Sequence, residues 1–438
     1  MTRYRLTAPQ RLNTTVELPA SKSISNRALI IHMLSGGSTL PQNISDCDDT
    51  EVIVEAMRQN MPPEINIKAA GTAMRFMTAY LSLTDGIHVL TGTERMKHRP
   101  IGTLVDALRK LGADIEYVGE QGFPPLRITG KALQGGDLEM AGSISSQYIS
   151  AMLMIGPMME KGLTLHLTGD IISRPYIDLT LWTMGEFGAS AKWISADTIV
   201  VEPKPYTARD YFIENDWSAA SYWYETLALS DDPEAVVRLT GLTDGSKQGD
   251  SVTRYIFSLL GVKTVFQTKR QGVPQTVTLK QNGRCVPKLE YDFVNSPDLA
   301  QTFVVTCLAK NVPFHFKGLS TLKIKETDRI EALKREARKL GFVVESRNDS
   351  ELLWEGLRCE TSYDEGIDTY EDHRMALAFA PFAMKHEGLI INNPQVVSKS
   401  YPKFWEDLEA AGFELTDDGL QFTDDMLASR SDDRSNQL

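Results

Sequence analysis

The sequence predicts an α/β fold assembled from six repeated units, each with two helices and several strands. One observation is a helix-like segment that ends in a small turn and continues into a strand, about every 70 to 80 residues. These turns centre on Gly112, Gly188, Gly261, Gly341 and Gly412. A second is a series of short strand-like runs closed by glycine, such as residues 163–169 and 237–241. Helices interleaved with strands in this order are typical of mixed α/β units.

A further helix opens each unit and is apolar around most of its circumference. Residues 147–155, for example, read QYISAMLMI. A helix that is apolar on nearly all sides is predicted to be buried. These helices are expected near residues 21–34, 71–82, 145–158, 217–229, 298–309 and 372–384. Three units could pack around shared buried helices to make each half of the protein.

The ends of the units indicate how the chain is divided. Only about twenty residues separate Thr50 from Lys68, so the first unit is predicted to be truncated. A proline-bearing stretch at residues 203–216 marks the join between the halves. The short amino-terminal segment could pair with either half. The acidic, serine-rich residues 423–438 predict a flexible tail.

Composition limits the classes of partner. The chain has 438 residues, of which 42% are hydrophobic and 24% are charged, as in an ordinary soluble globular protein. Its net charge of -12 argues against a surface for nucleic acid or an anionic membrane, because such partners select broad basic faces. Functional cations must therefore be concentrated locally.

The compartment is expected to be the cytoplasm. The four cysteines, at positions 47, 285, 307 and 359, form no CxxC pair, which is typical of reduced thiols and small core residues. The first residues lack the apolar run of a signal peptide, and no run approaches the ~18 apolar residues of a membrane span.

Three stretches place cations at expected helix starts. They are residues 21–27 (SKSISNR), 325–329 (KETDR) and 372–374 (DHR). A cation at the positive end of a helix dipole is locally unfavourable, so repeated placements predict anions between them. The sequence therefore predicts a small ligand that carries several negative charges.

Six motifs in order resemble the 5-enolpyruvylshikimate-3-phosphate synthase family of enolpyruvyl transferases. They are residues 18–29, 70–75 (AGTAMR), 95–100 (RMKHRP), 145–147 (SSQ), 325–329 (KETDR) and 372–376 (DHRMA). The resemblance implies two inverted α/β domains, each built from three repeats of a βαβαββ-like unit. It implies a first domain of residues 20–213 and a second of residues 1–19 plus 214–422. It also implies an enolpyruvyl transfer from phosphoenolpyruvate to the 5-hydroxyl of shikimate 3-phosphate in aromatic amino-acid biosynthesis.

Four anionic groups of the two substrates would have to share one cleft, which requires cations. Arginine suits planar anions through bidentate contacts, and lysine acts as a mobile point charge. The candidate cations are Lys22, Arg27, Arg75, Arg99, Lys325, Arg329, Arg374 and Lys399.

The resemblance assigns substrates to individual residues. The shikimate 3-phosphate residues are Lys22, Ser23, Arg27, Ser145, Ser146, Gln147, Ser173, Asp298, Thr321 and Lys325. Among these, Ser23 and Arg27 would contact the shikimate moiety and its carboxylate. The phosphate would be held by Ser145, Ser146, Ser173 and Lys325. The phosphoenolpyruvate residues are Lys22, Gly71, Arg99, Gln147, Arg329, Arg374 and Lys399.

Catalysis is assigned by resemblance to Lys22, Asp298 and Glu326. Asp298 would accept the hydroxyl proton, Glu326 would exchange a proton with the methylene carbon, and Lys22 would assist phosphate departure. This route needs no metal and no cofactor, and His373 is the one histidine for which a site role is claimed. The expected partners are the two small substrates alone, with no nucleic acid or membrane, and the protein is expected to be a monomer.

Departures from the family pattern and two alternatives stay open. Ala69 and Thr321 stand where the family usually has asparagine. The related enzymes that use a UDP-sugar share the repeats, but they typically carry a loop cysteine or aspartate near Arg99, which this chain lacks. A noncatalytic anion-binding protein would explain the cations but not the two carboxylates.

Overall fold

A computed structural model describes residues 2–417, so the predicted tail of residues 423–438 lies outside the described part. The α-helices of the described part are α1 (Lys22–Ser35), α2 (Asp48–Arg58), α3 (Gly71–Leu81), α4 (Glu94–Lys97), α5 (Gly102–Lys110), α6 (Ser146–Ile155), α7 (Arg174–Glu186), α8 (Trp217–Leu229), α9 (Thr253–Leu259), α10 (Ala300–Ala309), α11 (Arg329–Lys339), α12 (His373–Phe379) and α13 (Phe404–Ala410). Shorter 3₁₀ turns include Gly249–Val252, Pro297–Leu299, Ser320–Ile324 and Pro394–Lys399.

The strands of the same part are short. They are β1 (Arg3–Thr7), β2 (Asn13–Val16), β3 (Glu64–Asn66), β4 (Gly86–Thr91), β5 (Asp114–Tyr117), β6 (Leu126–Gly130), β7 (Gly136–Ala141), β8 (Leu163–Thr168), β9 (Ala191–Trp193), β10 (Thr198–Val201), β11 (Val236–Thr243), β12 (Val262–Phe266), β13 (Pro274–Gln281), β14 (Leu289–Asp292), β15 (Phe314–Lys317), β16 (Glu345–Arg347), β17 (Glu351–Trp354), β18 (Leu389–Asn392) and β19 (Glu414–Asp417).

The repeated glycines all follow a helix and reverse the chain. Gly112, Gly188, Gly261, Gly341 and Gly412 have φ angles between +82° and +107°. A side chain with a Cβ atom rarely adopts this conformation, so glycine is the residue that ends a helix in this way. The predicted helix, turn and strand are confirmed at all five sites.

One sheet pattern recurs through the molecule. Its strand order is β3-β4-β6-β5, then β7-β8-β10-β9, then β14-β15-β17-β16. In each sheet the first two strands are parallel and the remaining pairs are antiparallel. The unit therefore reads βαβαββ, with a helix after each of its first two strands and, in one unit, the extra short helix α4.

The two amino-terminal strands complete sheets of later units. Strand β2 pairs in parallel with β11 and occupies the first position of the sheet β2-β11-β13-β12. Strand β1 lies between β18 and β19 and is antiparallel to both. The amino-terminal segment, whose partner the repeat pattern left open, therefore pairs with the carboxy-terminal half.

The first unit has no sheet of this kind within residues 2–417. It retains helices α1 and α2, and a single parallel bridge joins Gln42 to Phe212. Only residues 59–63 separate α2 from β3, which already belongs to the second unit. The antiparallel strand pair that closes the second to fifth units is thus missing, as the predicted truncation implies.

Buried helices occupy the centre of each half. Helices α1, α3 and α6 contact one another, and α10 contacts both α8 and α12. Two predicted bounds need correction, because the α-helices end at Ile155 and Phe379 and continue as 3₁₀ turns. Pro157 and Pro381 lie in these turns, and proline cannot continue an α-helix hydrogen-bond ladder.

The hydrophobic core is divided into two clusters. One draws its residues from positions 20–213 and the other from positions 6–18 and 217–413. We call these parts the first half and the second half. The division supports the domain boundaries implied by the resemblance, which remain a proposal.

The cysteines lie in different environments. All four have free thiols, and Cys47 and Cys307 are buried as expected of small core residues. Cys285 is exposed and Cys359 is partly exposed, so the expectation of core residues is wrong for these two.

Candidate active site

Three helices begin with cations, and two of these cations, Lys22 and Arg374, line a cavity between the halves. Lys22 is the first residue of α1, and Arg329 is the first residue of α11. Arg374 is the second residue of α12, whose cap Asp372 accepts a hydrogen bond from the Arg374 backbone N–H. The predicted placement of cations at helix starts is therefore correct, and the helix dipoles add to the positive potential there.

Arg329 is buried and is surrounded by three carboxylates. Its Nε and Nη2 donate to Asp372 at 2.7 and 3.1 Å, and its Nη1 donates to Asp298 at 2.9 Å. Its Nη2 also donates to Glu326 at 2.8 Å. Although burial would lower the pKa of Arg329, Asp372, Glu326 and Asp298 together raise it. The guanidinium is therefore permanently charged and fixed in orientation.

Asp298 contacts two more cations besides Arg329. Lys325 Nζ lies 3.4 Å from its Oδ1, and Arg374 Nη2 lies 3.3 Å from its Oδ2. Burial alone would raise the pKa of Asp298, but Lys325, Arg374 and Arg329 outweigh it and hold the pKa far below its usual range. Asp298 lies in the 3₁₀ turn Pro297–Leu299 before α10.

Glu326 is the point at which charges from both halves converge. Lys399 Nζ lies 3.5 Å from its Oε1, in addition to the bond from Arg329. Burial would raise the pKa of Glu326, whereas Arg329, Lys399 and Arg99 lower it well below its usual range. Arg99 belongs to the first half, so cations of both halves act on this carboxylate.

Lys22 forms an ion pair with a carboxylate of the first half. Its Nζ lies 3.6 Å from Oδ2 of Asp49, which also accepts a hydrogen bond from the Thr72 hydroxyl at 3.3 Å. Burial would lower the pKa of Lys22, but Asp49 and its other anionic neighbours raise it. Lys22 is therefore protonated at neutral pH.

Two guanidinium groups lie against the start of α3. A Cβ atom built on Gly71 would lie 2.5 Å from Nη1 of Arg99 and 2.6 Å from Nη1 of Arg75. Arg75 Nη1 donates to the Gly71 carbonyl at 2.7 Å, and burial together with nearby Arg99 lowers the pKa of Arg75 to about 10. Two cations this close repel each other, so an anion placed at Gly71 would stabilise the arrangement.

Arg27 is buried among neutral groups in the first half. It donates to the hydroxyls of Thr180 and Ser150 at 2.7 and 3.1 Å, and to the carbonyls of Ser23 and Tyr176 at 2.8 and 3.2 Å. Burial lowers its pKa to about 10. A buried cation with only neutral partners gains from a ligand carboxylate.

The predicted phosphate residues lie at two helix starts near Arg27. Ser145 caps α6 by accepting from the Gln147 N–H at 3.4 Å, and Ser146 is buried beside it. Gln147 donates to Thr72 at 3.1 Å. Ser173 precedes α7 with a φ of 53°, and its side chain makes no capping hydrogen bond. Strain of this kind in a non-glycine residue is common where a ligand is held.

Two side chains near the cleft have buried polar atoms with no hydrogen-bond partner within the described residues. They are Thr321, through its hydroxyl, and His373, through both ring nitrogens. Burial, Lys22 and Arg374 lower the pKa of His373 well below its usual range, so it is neutral. Thr321 lies in the turn Ser320–Ile324, next to the predicted phosphate residue Lys325.

Sequence reasoning missed several residues that the structure brings to this cleft. Asp49 pairs with Lys22, and Tyr222 accepts a hydrogen bond from Arg374 Nη1 at 3.3 Å. An acid in the first turn of a helix and a tyrosine in an apolar helix are both ordinary. No signal in the sequence separates such residues from capping and core residues.

The two halves meet at more than one place. Arg95 of the first half pairs with Glu371 of the second, and the Ser398 hydroxyl donates to Asp48 at 2.9 Å. At the link between the halves, the Ser21 N–H donates to the Glu214 carbonyl at 2.9 Å. A narrow cavity between the halves is lined by residues including Lys22, Ser23, Asp216, Tyr222, Arg374 and Tyr401.

The arrangement can hold several anions and can move protons through two carboxylates. In the described residues, no group of three or more His, Cys, Asp and Glu side chains is placed to bind a metal ion. Across residues 2–417, every helix is too short or too polar to span a bilayer.

Comparison with known proteins decides the family. The family model described as EPSP synthase (3-phosphoshikimate 1-carboxyvinyltransferase) matches residues 6–61 and 59–408. The chain belongs to this family. An EPSP synthase family member from Bacteroides fragilis, a 3-phosphoshikimate 1-carboxyvinyltransferase, is 58% identical over 411 residues, which cover 94% of this chain and 98% of the relative.

More distant members are similar along the same length. A 3-phosphoshikimate 1-carboxyvinyltransferase from Photobacterium profundum is 34% identical and covers 91% of this chain and 96% of its own. The solved EPSP synthase from Acinetobacter baumannii has a TM-score of 0.76 at 19% identity, covering 95% of this chain and all of that one. This similarity confirms the predicted fold class, and the family match confirms the predicted family.

Proposed function

We propose that this chain is a 3-phosphoshikimate 1-carboxyvinyltransferase. It transfers the enolpyruvyl group of phosphoenolpyruvate to the 5-hydroxyl of shikimate 3-phosphate and releases phosphate, a step of aromatic amino-acid biosynthesis. The observation that carries the proposal is the convergence on Glu326 of Arg99 from one half and Lys399 from the other. A cleft that collects cations from both halves around two carboxylates suits two polyanionic substrates and proton transfer.

Phosphoenolpyruvate is proposed to bind between the cations of both halves. Arg329 and Arg374 present guanidinium groups that suit its planar carboxylate. The pair of guanidiniums at Gly71, together with protonated Lys22, suits its phosphate. Gln147 and Lys399 are proposed to complete the site from either side.

Shikimate 3-phosphate is proposed to lie mainly on the first half. Arg27, which has only neutral partners, would take the carboxylate. The phosphate would be held by Ser145, Ser146, Ser173 and Lys325, with Ser23, Gln147 and Thr321 also contacting this substrate. Serine hydroxyls at helix starts donate to phosphate beside backbone N–H groups, which supports this placement.

The chemistry requires one proton to be given and two to be removed. Protonation of the phosphoenolpyruvate methylene makes the neighbouring carbon cationic, and the 5-hydroxyl oxygen bonds to it as Asp298 accepts the hydroxyl proton. The bond from that carbon to the phosphate oxygen then breaks, and the methyl group loses a proton to restore the double bond. Glu326 is proposed to exchange the carbon-bound protons once substrate anions have neutralised Arg329, Lys399 and Arg99, which hold its pKa low in the free protein. Lys22 is proposed to stabilise the departing phosphate.

Substrate binding is expected to change the basicity of Asp298. Lys325, Arg374 and Arg329 hold its pKa far below its usual range, so the carboxylate is a weak base in the ligand-free protein. A substrate carboxylate on Arg329 and Arg374, and a phosphate on Lys325, would neutralise these cations. The pKa of Asp298 would then rise, so that its basicity develops when both substrates are present.

Phosphate release tests the proposal directly. Purified protein is mixed with phosphoenolpyruvate and either shikimate 3-phosphate or UDP-N-acetylglucosamine, with and without a metal chelator. We expect release only with shikimate 3-phosphate, unaffected by chelation, because Lys and Arg side chains supply the charge. Release only with the UDP-sugar would assign the chain to the related enzymes, and no release with either would favour an anion-binding protein.

We also propose that the protein acts in the cytoplasm as a monomer, without nucleic acid or membrane partners. The net charge of -12 supports the absence of polyanionic partners, because they select basic surfaces. Light scattering with size-exclusion chromatography tests the oligomeric state, and a dimer mass at micromolar protein would contradict it.

A further inference from the structure

We propose that Asp250 is a positioning residue that holds the start of α7 in the shikimate 3-phosphate site. The proposal rests on the proposed function. Asp250 belongs to the second half, whereas α7 and the substrate residues near it belong to the first. The residue lies outside the motifs that identified the family, and no substrate role was assigned to it from the sequence.

The backbone around Asp250 packs directly on the start of α7. Asp250 lies in the turn Gly249–Val252, and a Cβ atom added to Gly249 would lie 2.7 Å from Cβ of Pro175. Glycine is therefore required for this close approach. A second contact fixes the same segment, because the Ser173 N–H donates to the Val294 carbonyl at 2.9 Å.

The Asp250 side chain joins the halves through two hydroxyls. It is buried, and its Oδ1 accepts a hydrogen bond from the Tyr176 hydroxyl at 3.4 Å. Its Oδ2 accepts a hydrogen bond from the Ser218 hydroxyl at the start of α8. An ionised carboxylate accepts both bonds, so Asp250 ties α7 of the first half to α8 of the second.

Tyr176 links Asp250 to residues that are proposed to bind the substrate. Its carbonyl accepts a hydrogen bond from Arg27, the proposed ligand of the substrate carboxylate. Three residues before Tyr176, Ser173 has the left-handed φ of 53° and is a proposed phosphate ligand. Both residues depend on where α7 begins, so a shift of the Tyr176 hydroxyl would displace ligands of two substrate groups.

The charge of Asp250 is set by its surroundings. The charged side chains that act on it are Arg374, Asp298 and Asp216. Burial raises the pKa of Asp250 to about 6, with Arg374 opposing this effect and Asp298 adding to it. Asp250 is therefore ionised at neutral pH and gains a proton in mildly acidic solution, where it can no longer accept through both oxygens.

The first experiment compares Asp250→Asn with a control carboxylate. Asp244→Asn removes a carboxylate that pairs with Arg254 at 2.7 Å away from the cleft. For Asp250→Asn we expect the Kd and KM of shikimate 3-phosphate to rise by about tenfold at pH 7.5, the effect of losing a hydrogen bond to a charged group. Its kcat should change far less, and Asp244→Asn should match the wild type. Equal substrate affinity in Asp250→Asn and wild type would overturn the proposal.

A pH series separates positioning from general destabilisation. The phosphate of the ligand itself titrates near pH 6, so the ratio of Kd values between variant and wild type is the readout. This ratio should be largest at pH 7.5 and approach one near pH 5, where wild-type Asp250 is neutral. A ratio that is constant with pH would show that the charge of Asp250 plays no part.

A double-mutant cycle tests the relay through Tyr176. Tyr176→Phe removes the hydroxyl that reaches Asp250, and its effect on ligand Kd should not add to that of Asp250→Asn. Additive effects would refute coupling between the two side chains. The cycle is also measured as thermal stability of the ligand-free protein, so that coupling can be detected even if the wild type fails to use shikimate 3-phosphate. If the wild type released no phosphate with shikimate 3-phosphate, the proposed function would be rejected. The thermal-stability cycle would still show whether Asp250 and Tyr176 are coupled.

Discussion

Arg329 binds Asp372 through two nitrogens, with Nε 2.7 Å from Oδ2 and Nη2 3.1 Å from Oδ1. Both side chains are almost completely buried, and such a fork fixes the plane of the guanidinium. Its other edge is thereby directed at Asp298 and Glu326. The pair thus holds a cation in place next to both proposed catalytic carboxylates.

Glu326→Gln should separate catalysis from binding. Glutamine keeps the shape of the side chain but cannot exchange the carbon-bound proton, so kcat should fall by roughly 100-fold or more. Calorimetry should show nearly unchanged binding of shikimate 3-phosphate. Glu331→Gln is the matched control, because Glu331 lies in the first turn of α11 and pairs with Lys334 at the surface. Near-normal turnover of Glu326→Gln would contradict a role of Glu326 in proton transfer.

Lys325→Met should weaken shikimate 3-phosphate binding instead. Lys325 has Asp298 as its partner at 3.4 Å and is the proposed cation for the substrate phosphate. Loss of that charged contact should raise the Kd about 10- to 100-fold. Lys323→Met serves as control, since Lys323 lies two residues away and pairs with Asp349 at the surface. Equal effects of both substitutions in calorimetry would argue against a phosphate contact.

Gly71→Ala should impair phosphoenolpyruvate more than shikimate 3-phosphate. The added methyl group would meet the guanidiniums of Arg99 and Arg75 at 2.5 and 2.6 Å, so one of them must move. We expect KM for phosphoenolpyruvate to rise by about tenfold or more, as for other overpacked sites. Gly185→Ala, which adds a methyl group where no atom lies within 4 Å, should leave steady-state kinetics unchanged. An unaltered KM in Gly71→Ala would place phosphoenolpyruvate elsewhere.

Binding of shikimate 3-phosphate should compact the protein. Cations of both halves must approach the same ligands, and the ion pair of Arg95 with Glu371 joins the two halves. Small-angle scattering should show a smaller radius of gyration at saturating ligand. Glu371→Lys places two cations opposite each other, so its free form should be more open than the wild type. Identical scattering curves for all these samples would contradict the closure.

Asp298 should make folding sensitive to acid. Its pKa is lower in the folded protein than in the unfolded chain, so its contribution to stability is present above about pH 4 and is lost as pH falls further. Asp298→Asn should unfold at a lower temperature at pH 7, because three cations lose a buried partner. The difference in Tm between variant and wild type should narrow between pH 5 and pH 3. A difference that stays constant in calorimetry would show that the charge of Asp298 does not stabilise the fold.

Local signals made much of the fold predictable. The five glycines that end helices require one backbone conformation, and apolar helices such as α6 can be buried only between other elements. The pairing of β1 and β2 could not be predicted from the repeats, because it joins segments distant in sequence. The same reason explains why Asp49, Tyr222 and Asp250 were missed, since tertiary packing alone places them near the cations.

The location of β1 and β2 also governs the order in which the molecule can be built during synthesis. The core of residues 20–213 is complete once that stretch has left the ribosome, so it can fold while translation continues. Strand β1, although made first, has no neighbour until β18 and β19 have been translated. The first strand must therefore wait for the last two, and the cleft that needs both cores is the last part of the protein to form.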